Sequence, residues 1–168
     1  ISWTKRTSGK WEYLKGVTYG NGLFVTDGNS GTILTSPDGN SWNKRTSGIS
    51  GTRIGVTYGN GLFVTVGHDG TILTSSDGNS WTKRTSGTSE NLVGITYGNG
   101  LFVTVGDSGT IFTSSDGIFW TQITTWTHSD GTTRTTSGMM GLFFVRDPCD
   151  LTTAYTRIPC SPCGSIVR

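Results

Sequence analysis

The residues with reactive chemistry are few and far apart. Cys149, Cys160 and Cys163 all lie in the last 20 residues, the latter two spaced Cys-x-x-Cys. That spacing can serve zinc, a dithiol redox centre or a disulfide. Zinc wants four ligands, and the only histidines are His68 and His128, so no metal is expected. A redox motif wants a strand–helix–strand setting, and the tail has no helical periodicity. A disulfide from Cys149 to one of the other two is expected, with one thiol left over, in a secreted or cell-surface protein, bacterial in origin.

Catalysis by carboxylates or a nucleophile finds no set of residues. Glu12 and Glu90 are the only glutamates, and glycoside hydrolysis needs two carboxyl groups on one site. Tyr19, Tyr58 and Tyr97 recur at equal spacing, as do Arg6, Arg45 and Arg84. Repetition of that kind reads as packing and edge positions, not as one site. With no nucleophile, base and orienter together, the chain is expected to be no enzyme and to use no cofactor.

Composition narrows the partners. A net charge of +2 from 13 basic and 11 acidic residues lacks the concentrated basic face of a nucleic-acid binder. No stretch approaches the ~20 apolar residues of a membrane span. No leader sequence is recognisable, and Ile1 stands in mid-pattern, which reads as a mature or trimmed chain.

The elements that must position any site come from a repeat of 39 residues. Trp3, Trp42, Trp81 and Trp120 mark the period, and Trp3–Ser41 matches Trp42–Ser80 at 28 of 39 positions. Such a period signals stacked supersecondary units, none able to bury its apolar face alone. The chain reads as one repeat domain, 1–168. Its repeats are 3–41, 42–80 and 81–119, followed by a diverged fourth repeat at 120–158 and a cysteine-bearing tail at 159–168. Each repeat holds four short β-rich runs separated by Asn-Gly or Asp-Gly, whose residues accept positive φ. Leu62, Val64 and Val66 share one face and Phe63 and Thr65 the other, with little charge on either. Four antiparallel strands covered on both faces describe a propeller blade. Lys44-Arg45 and Lys83-Arg84 suit an outer edge blunted by charge. The expected fold is an all-β propeller of four blades. Ile1–Thr7, a fourth strand with no blade before it, would complete the last.

The third turn of each repeat carries a resemblance. Ser36, Asp38 and Trp42, then Ser75, Asp77 and Trp81, then Ser114, Asp116 and Trp120, resemble the Asp-box (BNR) repeat, Ser-x-Asp-x-Gly-x-x-Trp. That repeat marks β-propellers of the sialidase and photosystem-assembly-factor types. The resemblance implies structural roles: Ser and Asp oxygens bind turn amides and the Trp packs between blades. Asn40 and Asn79 stand for the second glycine, and Ile118 in their place is expected to distort the third turn.

Differences among the copies concentrate in the loops from fourth to first strand and from second to third strand, which an up-and-down blade sends to one end. Varied loops on a fixed scaffold are where recognition sits. Trp11, Tyr13, Arg53, His68, Glu90, Asn91 and Asp107 are the candidate contacts. The expected function is extracellular recognition or adhesion through those loops, with a glycan or protein ligand. The alternatives are a filament subunit assembled by terminal strand exchange, with self-association through the termini, and a photosystem-type assembly factor.

Overall fold

The computed structural model describes residues 4–5, 13–127 and 131–135 of the chain. Three four-stranded antiparallel sheets follow one another. The first holds β1 (Leu14–Gly20), β2 (Leu23–Gly28), β3 (Ile33–Ser36) and β4 (Asn43–Arg45). The second holds β5 (Arg53–Gly59), β6 (Leu62–Gly67), β7 (Ile72–Ser75) and β8 (Thr82–Arg84). The third holds β9 (Leu92–Gly98), β10 (Leu101–Gly106), β11 (Ile111–Ser114) and β12 (Thr121–Gln122). Each is an up-and-down meander, and the innermost strands β1, β5 and β9 pack in series. Three of the four expected blades are therefore observed. A hairpin, β13 (Thr125–Thr127) with β14 (Thr133–Thr135), follows them.

The turns follow from the sequence. Asn21-Gly22, Asn60-Gly61 and Asn99-Gly100 take positive φ at both residues, the geometry that matches the twist of a two-residue hairpin. At the other end of β2, β6 and β10 the same pair of positive φ values falls on Ser30-Gly31, Asp69-Gly70 and Ser108-Gly109.

The core lies between blades. Val25 and Ile33 of the first sheet join Val56, Phe63 and Leu73 of the second, with Trp81 packed against them. Val64, Val66 and Ile72 join Leu92, Phe102 and Phe112 in the same way, with Trp120. No blade buries its faces without a neighbour, as the repeat requires. Glycine permits the closest approach: a Cβ on Gly20 would stand 2.0 Å from the Tyr58 ring, and one on Gly59 would stand 2.1 Å from Tyr97.

The third Ser–Asp–Gly turn is not distorted. Asp116 accepts from the amides of Ile118 at 2.8 Å and Phe119 at 3.0 Å, as Asp77 does from Asn79 and Ser80. The positive φ falls on Gly39, Gly78 and Gly117 and never on the residue after them, so isoleucine is admitted without strain. Closure by Ile1–Thr7, the fourth blade and the disulfide candidates Cys149, Cys160 and Cys163 lie, apart from residues 4–5 and the hairpin, outside the described residues.

Candidate functional site

The two variable connections do meet at one end of the blades. Backbone pairing starts this. In all three sheets the residue before the inner strand accepts from the turn after the second strand: Tyr13 from Asn29, Thr52 from His68, Asn91 from Asp107. A second bond then crosses between blades, from Gly31 to the Gly51 carbonyl at 2.9 Å and from Gly70 to the Glu90 carbonyl at 2.8 Å.

On that framework the third blade adds side-chain links that the second lacks sequence for, because Gly51 and Thr52 are replaced by Glu90 and Asn91. Asn91 Nδ2 donates to Asp107 Oδ2 at 2.9 Å, and its Oδ1 accepts from the Asp69 amide at 3.2 Å. Ser108 Oγ donates to Glu90 Oε2 at 3.2 Å. Glu90, Asn91 and Asp107, three of the sequence candidates, thus form one ledge with Asp69 and Ser108. It spans two blades and carries three carboxylates. His68 is exposed beside it, next to Asp69.

The other candidates separate. Tyr13 is exposed (73%) at the same end of the first blade. Trp11 lies outside the described residues. Arg53 departs from expectation: it is 0% exposed. Its Nη1 donates to the Gly51 carbonyl at 3.0 Å and its Nη2 to that of Ile49 at 3.4 Å, while Nε has no partner. A position level with Leu14 and Leu92 begins an inner strand, so Arg53 sits in the blade interface and cannot touch a ligand.

Its electrostatic counterpart is Asp27, which stands where Val66 and Val105 stand in the other copies. Asp27 is fully buried. It accepts from the Gly16 amide at 2.9 Å and from Thr65 Oγ1 of the next blade at 2.6 Å. Burial pushes its carboxyl up to about 6, while the Thr65 and Gly16 hydrogen bonds and the charge of Arg53 pull it back. Burial likewise lowers the guanidinium of Arg53 and Asp27 raises it. Two charges in apolar positions of adjacent repeats were visible in the sequence, and their joint departure is the signal that finds them.

At the opposite end the three Ser–Asp–Gly turns repeat the same set of hydrogen bonds. Ser36, Ser75 and Ser114 each donate to the following Asp at 3.0 Å. Trp42, Trp81 and Trp120 donate Nε1 to the Gly carbonyl of their own turn. The amides of Ser41 and Asn40 hold Asp38 below the usual carboxylate range, and Asp77 and Asp116 are held likewise by their own turn amides. The Ser Oγ and Asp Oδ1 of each turn are engaged in shaping it. Among the described residues no group of three His, Cys, Asp or Glu is arranged to hold a metal ion, and no helix is long and apolar enough to cross a membrane.

Among solved structures, "YCF48 bound to D1 peptide" matches with a TM-score of 0.56 at 19% identity, over 66% of this chain and 39% of that one. YCF48 from Cyanidioschyzon merolae matches with a TM-score of 0.55 at 19% identity, over 66% of this chain and 37% of that one. The chain therefore spans under two fifths of the length of either. No curated protein matches it. The DUF6242 beta propeller domain matches residues 1–132, and the chain belongs to that family.

Proposed function

We propose that this chain is a non-catalytic, polypeptide-binding propeller of the assembly-factor kind, and that its ligand docks on the loop ledge. The observation that carries the reading is the linkage of Asp69, Glu90, Asn91, Asp107 and Ser108 across two blades, at the end where the copies differ. Three carboxylates on a preorganised ledge favour a segment bearing Lys or Arg. A propeller of the same fold, YCF48, has been solved with a peptide bound, which supports a protein ligand over a glycan. The Ser–Asp–Gly turns, which we class with the Asp-box, hold the scaffold. The reading does not include the adhesion role. A secreted or cell-surface setting is proposed on the three cysteines alone, and mass with and without reductant tests it.

The experiment is fluorescence anisotropy with labelled Lys/Arg-rich and Asp/Glu-rich decapeptides. Binding of the basic peptide, weakened by about tenfold in Glu90→Gln/Asp107→Asn and by added salt, supports the reading. Equal binding of both peptides, or of neither, overturns it.

A further inference from the structure

The outer crevice between the first and second blades, both fully described, is lined by two cations that face each other. The inner strands β1 and β5 pack together, while the outer strands β4 and β8 make no comparable contact, so the two sheets part towards the rim. Residues directly opposite in an antiparallel pair share a face of the sheet. Arg45 of β4 is opposite Ile33, and Lys83 of β8 is opposite Leu73. Ile33 and Leu73 belong to the core that these two blades share. Arg45 therefore faces the second blade and Lys83 faces the first.

Arg45 is held in place but not neutralised. Its Nε donates to Thr35 Oγ1 at 2.8 Å. Thr35 is buried, and its methyl lies 3.6 Å from the Cβ position of Gly78 in the second blade. That bond fixes the guanidinium and leaves its two Nη groups, for which no described residue is an acceptor. Lys83 is exposed and makes no ion pair with a described residue. Asp27, on the same face of the first sheet, is buried two strands further in and is committed to Gly16, Thr65 and the charge of Arg53.

Blunting an outer edge against strand addition takes a charge on each edge strand, but nothing in that task requires two like charges to face each other, which repel. The following crevice does without the second. Arg84, opposite Ile72, faces the third blade, and the residue that faces back, opposite Phe112, is Gln122. An anion between Arg45 and Lys83 would turn the repulsion into attraction. The fork of one guanidinium fills both oxygens of a carboxylate. A tetrahedral ester oxyanion has oxygens for that fork and for an ammonium on the opposite side. Lys-Arg recurs once per repeat, at Lys5-Arg6, Lys44-Arg45 and Lys83-Arg84, which suits a polymer with anions in series. Duplex nucleic acid carries a charge about every 1.7 Å and calls for a dense basic face; one facing pair at a blade boundary matches the sparser esters of a sugar chain.

We propose that the crevice between Arg45 and Lys83 binds the sulfate esters of an acidic polysaccharide lying along the outer strands. Arg45 supplies the fork from the first blade and Lys83 the point charge from the second. These residues are separate from the ledge, so the proposal does not rest on the polypeptide reading.

The test is isothermal titration calorimetry of the full chain in reductant. The probes are a short heparin oligosaccharide, the same oligosaccharide desulfated and N-acetylated, and a single-stranded oligonucleotide. The sulfated chain should bind, with an affinity that falls as salt is added, and the desulfated chain should bind far more weakly. Arg45→Gln and Lys83→Gln should each weaken binding about fivefold. Lys15→Gln, which removes the same charge from the inner strand β1, should leave it unchanged. Gln122→Lys places at the second crevice the residue that its sister copies carry, and should tighten binding about threefold. A gain of that kind does not arise from misfolding. No binding of the sulfated chain would overturn the proposal, as would equal or tighter binding of the desulfated chain or the oligonucleotide. An affinity unchanged in Lys83→Gln or in Gln122→Lys would overturn it too.

Discussion

Thr65 Oγ1 donates to Asp27 Oδ2 across the blade boundary at 2.6 Å, whereas its counterparts stay at home. Thr26 donates to the Gly16 carbonyl at 2.6 Å and Thr104 to that of Gly94 at 2.8 Å, each at the bulge of its own inner strand. One acidic residue has therefore redirected a hydroxyl and joined two blades that are otherwise near copies. Asp27 and Arg53 act on each other through charge in the same interface.

A double-mutant cycle should show that coupling. Asp27→Val or Arg53→Leu alone, each restoring the residue of a sister copy, is expected to cost about 1–3 kcal/mol, the first by freeing the Gly16 amide and the Thr65 hydroxyl and the second by removing a charge that favours the buried carboxylate. The double variant should lose less than the sum of the two. Strictly additive losses in denaturant titrations would show that the two residues are independent.

Stability should also depend on pH through Asp27. Its folded value of about 6 lies above the 3.8 of the unfolded chain, so the native state binds more protons between them. That contribution is present in full below pH 3.8 and lost as pH rises through about 6, with a size on the order of 2–3 kcal/mol. Asp38, Asp77 and Asp116 have the opposite sign, since their values are lowered: their contribution holds above the unfolded value and is lost on acidification. Asp27→Asn should remove the fall between pH 4 and 6 and leave the acid limb. An unchanged profile would show that Asp27 does not titrate in that window.

The Ser–Asp–Gly turns should behave as scaffold. Asp77→Ala removes the acceptor for the amides of Asn79 and Ser80, and a lower melting midpoint with unchanged peptide affinity is expected. Native melting with lost affinity would assign Asp77 to the ligand instead.

Glycines at the blade contact separate by position. Gly59→Ala drives a methyl into the Tyr97 ring and should destabilise by about 1–3 kcal/mol. Gly98→Ala, with no described residue within 4 Å of the added Cβ, should leave the melting midpoint unchanged. Equal losses at both positions would mean that Gly98 is covered.

The blade was legible because its signals are local. Asn-Gly dictates a hairpin by its own φ preferences, and a tryptophan every 39 residues fixes the period. Arg53 was misplaced because a charged residue at a varied position reads as surface. Only its register with buried Leu92 shows that it begins an inner strand. Ile118 misled in the opposite direction, since the strained conformation falls on Gly117 one residue earlier. The ledge was half legible: Glu90, Asn91 and Asp107 stand out by variation, but Asp69 and Ser108 join them only through contacts between connections on different hairpins.

The most direct test of the central claim is hydrogen–deuterium exchange of the full chain with and without a saturating Lys/Arg-rich peptide. Binding at the loop end should protect amides at 67–70, 88–92 and 106–109, and leave the turns at 37–41, 76–80 and 115–119 unchanged. Protection confined to those Ser–Asp–Gly turns, or none anywhere under saturation, would contradict a polypeptide site on the ledge.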